Sequence, residues 1–295
     1  SSTKPFNGIT SSPFGNELVA EFAKAAITGE KLGAGPNPDL LCISFSSIDI
    51  VGHRFGPYSH EVQDMTLRLD RQLADLFQHI DTTVGLQNTV ILLTADHGVA
   101  PVPNFAAEEG LNAVRADELK LMGDLLEKLN TQFGEGNWLL DRKIHGGHVY
   151  LNHETLKQKQ IPPLTVAHFI RDWALSTNLF HMAYCRDEIL AGNTPGHIGR
   201  LVFNGFNAER SGDVVLIYKP YIINWNYQTG TTHGSPFSYD THVPVFFLGN
   251  GFKPGRYADE FYISDIVPTL SSVLRITPPP ASIGKPATRI LQENP

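Results

Sequence analysis

The segment that most constrains the fold is residues 88–98, NTVILLTADHG. Its apolar run at 90–94 is hydrophobic on both faces, which is typical of a buried strand in a parallel sheet. Asp96 and His97 follow the run, and Gly98 lets the backbone turn sharply behind them. Since sites in open α/β sheets form at the carboxyl ends of strands, this acid and this imidazole leave the strand where chemistry is usually done. An ordinary strand-to-loop turn fits three such residues equally well.

A second acid–histidine pair follows another apolar segment upstream. Residues 40–46, LLCISFS, predict a strand, and Asp49 and His53 come after it, with Gly52 directly before the histidine. Side chains four residues apart on a loop or on one helical turn can reach the same ion. An N-capping Asp49 with a surface His53 is the alternative, and the spacing alone leaves both interpretations open.

A third loop, residues 229–238, carries His233 between predicted strands at 213–219 and 243–248. The three loops together offer five oxygen and nitrogen ligands: Asp49, His53, Asp96, His97 and His233. Five ligands exceed one tetrahedral site and indicate two neighbouring ions. A set of imidazoles and carboxylates without a thiolate suits zinc.

Helical periodicity predicts five amphipathic helices, at 16–28, 58–80, 116–130, 165–177 and 264–275. The helix at 58–80 joins the predicted strands at 40–46 and 89–94 into a β-α-β unit with parallel strands. Residues 104–212 are less regular, and we interpret them as an insertion packed against the sheet edge. The pattern predicts an α/β protein in which a mostly parallel sheet lies between helical layers, a three-layer α/β/α sandwich.

Composition excludes several classes of partner. The 295 residues include 23 basic and 30 acidic side chains, for a net charge of −7, and no block of Lys or Arg occurs. Nucleic acid and anionic membranes are therefore not expected as main partners. No apolar run approaches the ~18 residues of a membrane span.

The two cysteines do not fix a redox compartment. Cys42 lies in the predicted strand at 40–46, and we expect it to be a buried free thiol. A disulfide between Cys42 and Cys185 is the less favoured alternative.

These motifs, taken in order, resemble the alkaline phosphatase superfamily. The closest likeness is to the branch that holds type I phosphodiesterases, nucleotide pyrophosphatases and secreted bacterial alkaline phosphatases. The resemblance covers nearly the whole chain and rests on five stretches: SFSSIDIVGHRFGP, LLTADHGVAPVP, FNGFNAERSGDVVLIYKP, GTTHGSPFSYDTHVPVFFLGNG and ISDIVPTL.

The resemblance implies an alkaline-phosphatase-like fold and two zinc ions in the intact enzyme. Carried over motif by motif, Asp49, His53 and His233 would hold one zinc. Asp96 and His97 would hold the other.

Asp240 and His242 lie close behind the third motif. They are candidates for groups that orient the metal ligands through hydrogen bonds. A purely structural role for both is the alternative.

The family's catalytic domain also has an earlier strand with an Asp ligand and a Thr or Ser nucleophile at a helix N-terminus, and neither motif is found here. Thr66 and Thr94 are poor substitutes, because one flanks the apolar stripe of a helix and the other lies inside a strand. We therefore expect residues 1–295 to be the C-terminal portion of one catalytic domain, with an inserted subregion at about 104–212. The nucleophile is expected upstream. A sheet without its first strand would expose an apolar edge, and so we expect dimerisation or strand exchange.

The resemblance thus implies a zinc-dependent hydrolase of small phosphate esters, a phosphomonoesterase or a phosphodiesterase, acting through a covalent phospho-Thr or phospho-Ser intermediate. One alternative is that this chain alone is a catalytically inactive metal-binding or structural fragment. A further alternative is a sulfatase or phosphonate hydrolase of the same superfamily. The resemblance also implies a periplasmic or secreted location.

Overall fold

The computed structural model describes residues 8–224 and 229–292. The α-helices of these residues are α1 Pro13–Gly29, α2 Ser47–Phe55, α3 His60–Thr83, α4 Pro103–Glu108, α5 Glu118–Phe133, α6 His153–Lys159, α7 Pro163–Ser176, α8 Arg186–Leu190, α9 Gly196–Gly205, α10 Ser238–Thr241 and α11 Ile266–Leu274. The strands are β1 Ile91–Thr94, β2 Val114–Arg115, β3 His148–Val149, β4 Phe180–Cys185, β5 Val214–Tyr218, β6 Ile222–Ile223 and β7 Val245–Leu248.

The mixed α/β class expected from the sequence is confirmed. The five predicted helices correspond to α1, α3, α5, α7 and α11, and the predicted strands before Asp96, before Pro220 and before Gly249 correspond to β1, β5 and β7. Among the described strands, β2 pairs with β6 in parallel, whereas β1 with β7, and β3 and β4 with β5, form antiparallel ladders. No described helix combines the length and the apolar character that crossing a membrane requires.

The predicted strand at 40–46 is wrong. A strand needs a ladder of hydrogen bonds to a neighbour, and no described residue pairs with this segment. Ile43 and Phe45 instead pack against the apolar cluster of α1 and α3. The parallel β-α-β unit is therefore not formed, because β1 pairs with β7 and not with 40–46.

The expected burial of Cys42 is wrong for the same reason. With no sheet to cover it, the Cys42 side chain is exposed, whereas Cys185 is buried at the end of β4. Both are free thiols, which rejects the alternative of a Cys42–Cys185 disulfide.

The first compact unit comprises Ser1–Val51, His60–Asp96 and Val243–Pro295. Within it α1 packs against α3 through Ala23, Ile27 and Leu76, because apolar residues recur at helical spacing on both helices. In the same unit β1 and β7 run antiparallel, with Ile91 opposite Leu248.

The second compact unit comprises Gly52–Ser59 and His97–His242. Its core lies between the β3-β5-β4 sheet and the helices α5 and α7, and includes side chains that solvent does not reach, such as Leu129, Trp138 and Ile170. The prediction that 104–212 is an insertion into one catalytic domain stays a prediction.

Candidate metal centre

Helix α2 positions the first predicted acid–histidine pair. Asp49 lies in its first turn and His53 in its last, one turn apart on an unbroken helix. The spacing of four is thus realised as one helical turn, which directs both side chains to the same face. A carboxylate near the N-terminus also suits the helix dipole, so the placement of Asp49 has a structural benefit as well.

The imidazole of His53 is fixed from both of its nitrogens. Its Nδ1 lies 3.0 Å from the carbonyl oxygen of Thr231, and its Nε2 lies 3.1 Å from the Nε2 of His233. Because a carbonyl oxygen only accepts, Nδ1 carries the hydrogen in the neutral ring and Nε2 keeps its lone pair. The lone pair of His53 therefore faces the ring nitrogen of His233.

The loop before His233 is held against α2 by its backbone. The Thr231 N–H donates to the carbonyl oxygen of His53 at 3.1 Å, and the Thr231 hydroxyl donates to the carbonyl oxygen of Ala100 at 2.9 Å. Gly230 has φ +74°, and a Cβ there would lie 1.9 Å from the His53 carbonyl oxygen. Only glycine fits such a left-handed, close approach without displacing backbone.

His97 lies against His233. Its ring stacks on that of His233 with centroids 3.3 Å apart and an interplanar angle of 14°. Its Nδ1 lies 2.8 Å from the Gly98 carbonyl oxygen, so Nδ1 carries the hydrogen and Nε2 is left as a ligand atom. The glycine after His97 matters through close approach: a Cβ on Gly98 would lie 2.2 Å from the carbonyl oxygen of Tyr239.

His53 and His233 bring their Nε2 atoms together within the second unit, and Asp49 lies one helical turn before His53 on α2. All three residues are half-buried. Asp96 is exposed, two residues beyond the end of β1. Among the described residues, the groups of three or more potential ligands close enough to share an ion include neither Asp96 nor His97.

The chemistry of the donor set fits a zinc-class ion. Two imidazole ligands of one tetrahedral zinc, at bonds of 2.0–2.1 Å, stand roughly 3.3 Å apart. The Nε2 atoms of His53 and His233 lie 3.1 Å apart, close to that spacing. The hydrogen bond from His53 Nδ1 to a backbone carbonyl is the arrangement that metal-bound histidines commonly show.

Asp240 connects the loops that carry His233 and His97. Its Oδ2 accepts from the Ser235 N–H at 2.7 Å, and its own carbonyl oxygen accepts from the Gly98 N–H at 2.6 Å. The side chain is buried. His242, by contrast, is exposed at the C-terminal cap of α10.

Sequence reasoning did not single out Gly230 and Thr231, although both hold the histidine pair in place. Gly230 lies three residues before His233 and was a usable signal, since a glycine close to a candidate ligand often marks a close backbone approach. The buried hydroxyl of Thr231 had no such signal, because its partner Ala100 lies far away in sequence.

Comparison with known proteins finds relatives of this chain. Alkaline phosphatase PhoV of Synechococcus elongatus is 37% identical over 297 residues, which is 98% of this chain and 52% of PhoV. A protein of Myroides odoratus named calcium-transporting ATPase is 36% identical over 291 residues, which is 97% of this chain and 52% of that protein. The crystal structure of alkaline phosphatase PafA, a protein known from Elizabethkingia meningoseptica, matches with TM-score 0.90 at 35% identity. That match covers 96% of this chain and 54% of PafA.

The chain therefore spans about half the length of the curated relatives it matches. The match to PafA confirms the alkaline-phosphatase-like fold expected from the sequence. The family model of type I phosphodiesterases and nucleotide pyrophosphatases matches residues 5–236, which confirms the resemblance inferred from the motifs. The chain belongs to the type I phosphodiesterase / nucleotide pyrophosphatase family.

Proposed function

We propose that this chain forms part of a metal-dependent hydrolase of phosphate esters, in which Asp49, His53 and His233 hold one zinc ion. The observation that carries the proposal is the approach of the two Nε2 atoms to 3.1 Å, with the His53 tautomer set by the Thr231 carbonyl. Family membership supports the reaction class. The names of PhoV and PafA, both alkaline phosphatases, support it as well.

We further propose that Asp96 and His97 contribute to a second zinc. The support is that the ring of His97 stacks on His233 and keeps Nε2 as its ligand atom. Asp96 directly precedes His97 and lies two residues after the end of β1. Two ligands do not complete a tetrahedral site, so this ion needs donors beyond the five predicted residues.

A pair of zinc ions held there would supply Lewis-acid activation of a nucleophile and would stabilise negative charge on phosphoryl oxygens. Residues of this chain hold the candidate ligand side chains in position. Thr231 fixes the tautomer of His53, and Gly230 allows the loop of His233 to approach α2. Asp240 ties the loop after His233 to the backbone behind His97.

A Thr or Ser nucleophile outside this chain, and a covalent phospho-enzyme, are expectations from the family resemblance. So is a periplasmic or secreted location. The substrate class we propose is a small phosphate ester, with monoester and diester as the two cases that experiment should separate.

The test is hydrolysis of p-nitrophenyl phosphate and of bis(p-nitrophenyl) phosphate by the intact protein that contains this chain. We expect zinc-dependent turnover of at least one of the two substrates, and its loss by 100-fold or more on His233→Ala, since a catalytic ion would lose one of its ligands. His197→Ala, on the exposed surface of α9, is the matched control and should leave turnover unchanged. Near-normal turnover in His233→Ala would contradict the proposal.

The same assay on the 295-residue chain alone decides the alternative. Steady, chelator-sensitive hydrolysis would reject the interpretation of this chain as an inactive fragment. Hydrolysis of a sulfate ester in preference to either phosphate ester would favour a sulfatase.

A further inference from the structure

A second group of metal-ligating side chains lies in the second unit, on elements other than those of the candidate metal centre. His168 lies on α7, Cys185 ends β4, and Asp187 lies in the first turn of α8. One ligand atom from each lies within 4.8 Å of the others. None of the three belongs to the motifs that carry the family resemblance.

The three side chains form a site with one buried wall and one open side. Cys185 has no exposed surface and is part of the core of the second unit. The side chains of His168 and Asp187 are 40% and 38% exposed. An ion could therefore enter past the imidazole and the carboxylate and meet the thiol beneath them.

Only one of the two carboxylate oxygens of Asp187 has a partner among the described residues. Its Oδ2 lies 3.3 Å from Nε2 of His168, and at this distance the contact is weak. Its Oδ1 is buried and has no hydrogen-bond partner in the described structure. A buried acceptor without a donor is costly, and a bound cation would satisfy it.

The backbone around the thiol is held in place. The Cys185 N–H donates to Glu188 Oε2 at 2.7 Å, and Arg171 donates to Glu188 Oε1 at 2.6 Å. Glu188, Asp187 and Asp172 raise the pKa of the thiol electrostatically, whereas Arg171 lowers it. Carboxylates thus outnumber guanidinium groups around the sulfur, a balance that favours a cation.

We propose that His168, Cys185 and Asp187 bind a divalent cation of the zinc class. One thiolate, one imidazole and one carboxylate suit zinc, and water would complete a tetrahedron. Ligand atoms of a tetrahedral zinc stand roughly 3.3–3.8 Å apart, so the three must draw together slightly. His168 and Asp187 are able to do so, because both are partly in solvent.

Metal binding must displace the thiol proton. Burial, as the main cause, raises the pKa of Cys185 to about 12. The free thiol is therefore protonated at neutral pH, and binding of an ion releases a proton. The alternative is a simple His168–Asp187 ion pair above an inert buried cysteine.

Cobalt(II) is the probe that separates this site from the candidate metal centre. A cobalt–thiolate bond gives a strong near-ultraviolet charge-transfer band, which imidazole and carboxylate ligands do not give. The candidate centre has no sulfur ligand, so the band reports only on a cysteine site, whatever the fate of the proposed hydrolase. We expect titration of the chain with cobalt(II) to produce the band and zinc to remove it by competition.

Four variants identify the sulfur and its partner and separate this site from the candidate metal centre. Cys185→Ser should abolish the band, whereas Cys42→Ser, which removes the exposed thiol, should leave it unchanged. His168→Gln, on the half-exposed face of α7, should weaken cobalt affinity tenfold or more. His233→Ala should leave the band intact.

Absence of the band in the wild-type chain at saturating cobalt would overturn the proposal. So would a band that survives Cys185→Ser and disappears with Cys42→Ser. Should Cys185→Ser fail to fold, His168→Gln still decides, because unchanged cobalt affinity in that variant would exclude the three-ligand site.

Discussion

The Nε2 atoms of His53 and His233 face each other at 3.1 Å, although the residues lie 180 positions apart in the sequence. Because Nδ1 of His53 donates to Thr231, the nitrogen of His53 that faces His233 carries a lone pair. That nitrogen can accept a hydrogen from His233 Nε2 or, with it, bind a cation. The geometry of the pair therefore depends on the backbone of the Thr231 loop, and this dependence can be tested.

Gly230→Ala should damage the site through the backbone. The added Cβ would lie 1.9 Å from the His53 carbonyl oxygen, at a residue with φ +74°. We expect a zinc affinity at least tenfold lower, measured by competition with a chromophoric chelator, and a loss of stability above about 1 kcal/mol.

Gly123→Ala is the matched control for this change. Gly123 lies inside α5 with no atom near its Cβ position, so alanine there should stabilise the chain by about 0.5–1 kcal/mol and leave zinc affinity unaltered. Equal zinc affinity in the two variants would mean that the Gly230 loop does not position His233.

Asp240→Ala tests the connection between the two histidine loops. Loss of the carboxylate leaves the Ser235 N–H without its acceptor, and the segment after His233 should loosen. We expect zinc affinity to fall about 10- to 100-fold. Asp240→Asn keeps an acceptor oxygen and should recover part of the loss.

The exposed neighbour His242 serves as control for Asp240. His242→Ala should leave zinc affinity as it is. A larger effect from His242→Ala than from Asp240→Ala would reverse the roles assigned to the two residues.

Leu129→Ala tests the core of the second unit. Leu129 has no exposed surface, and its truncation should cost about 2–5 kcal/mol in unfolding free energy by urea titration. Leu119→Ala on the same helix removes a side chain that is 73% exposed and should cost much less. Similar costs for the two variants would show that α5 is not packed as described.

The two thiols should differ sharply towards iodoacetamide. Burial raises the pKa of Cys185 to about 12, so at pH 8 the thiolate fraction is roughly one in ten thousand. Cys42 is exposed. Mass spectrometry of peptides after brief labelling should find the label on Cys42, and rapid labelling of Cys185 in the native chain would contradict its burial.

The long helices and the strand before Asp96 were predictable, because the apolar residues recur with clear periods. The candidate metal ligands were singled out for a related reason: each follows an apolar segment, with a glycine close to its histidine. The segment 40–46 has the composition of a strand and yet has no ladder partner among the described residues. An apolar, β-branched composition indicates that a segment is partly buried, but a strand forms only where a neighbouring segment completes its backbone hydrogen bonds.

The contacts that could not be predicted are those between residues far apart in sequence. Nothing near His53 indicates that its Nδ1 would meet Thr231, and nothing in the spacing of His168, Cys185 and Asp187 suggests a common site. β4, which brings Cys185 to α7, lacks regular alternation of buried and exposed residues and has a register shift between Phe180 and Met182, so its short mixed sequence gave no strand signal.

The measurement that tests the central claim most directly is zinc bound at saturation, by elemental analysis after equilibrium dialysis, in the wild-type chain and in His233→Ala. A site at Cys185 would contribute equally to both chains, so the difference between them isolates the zinc that we propose His233 to bind. The account predicts that His233→Ala binds about one zinc fewer per chain. Equal zinc content in the two chains would contradict it.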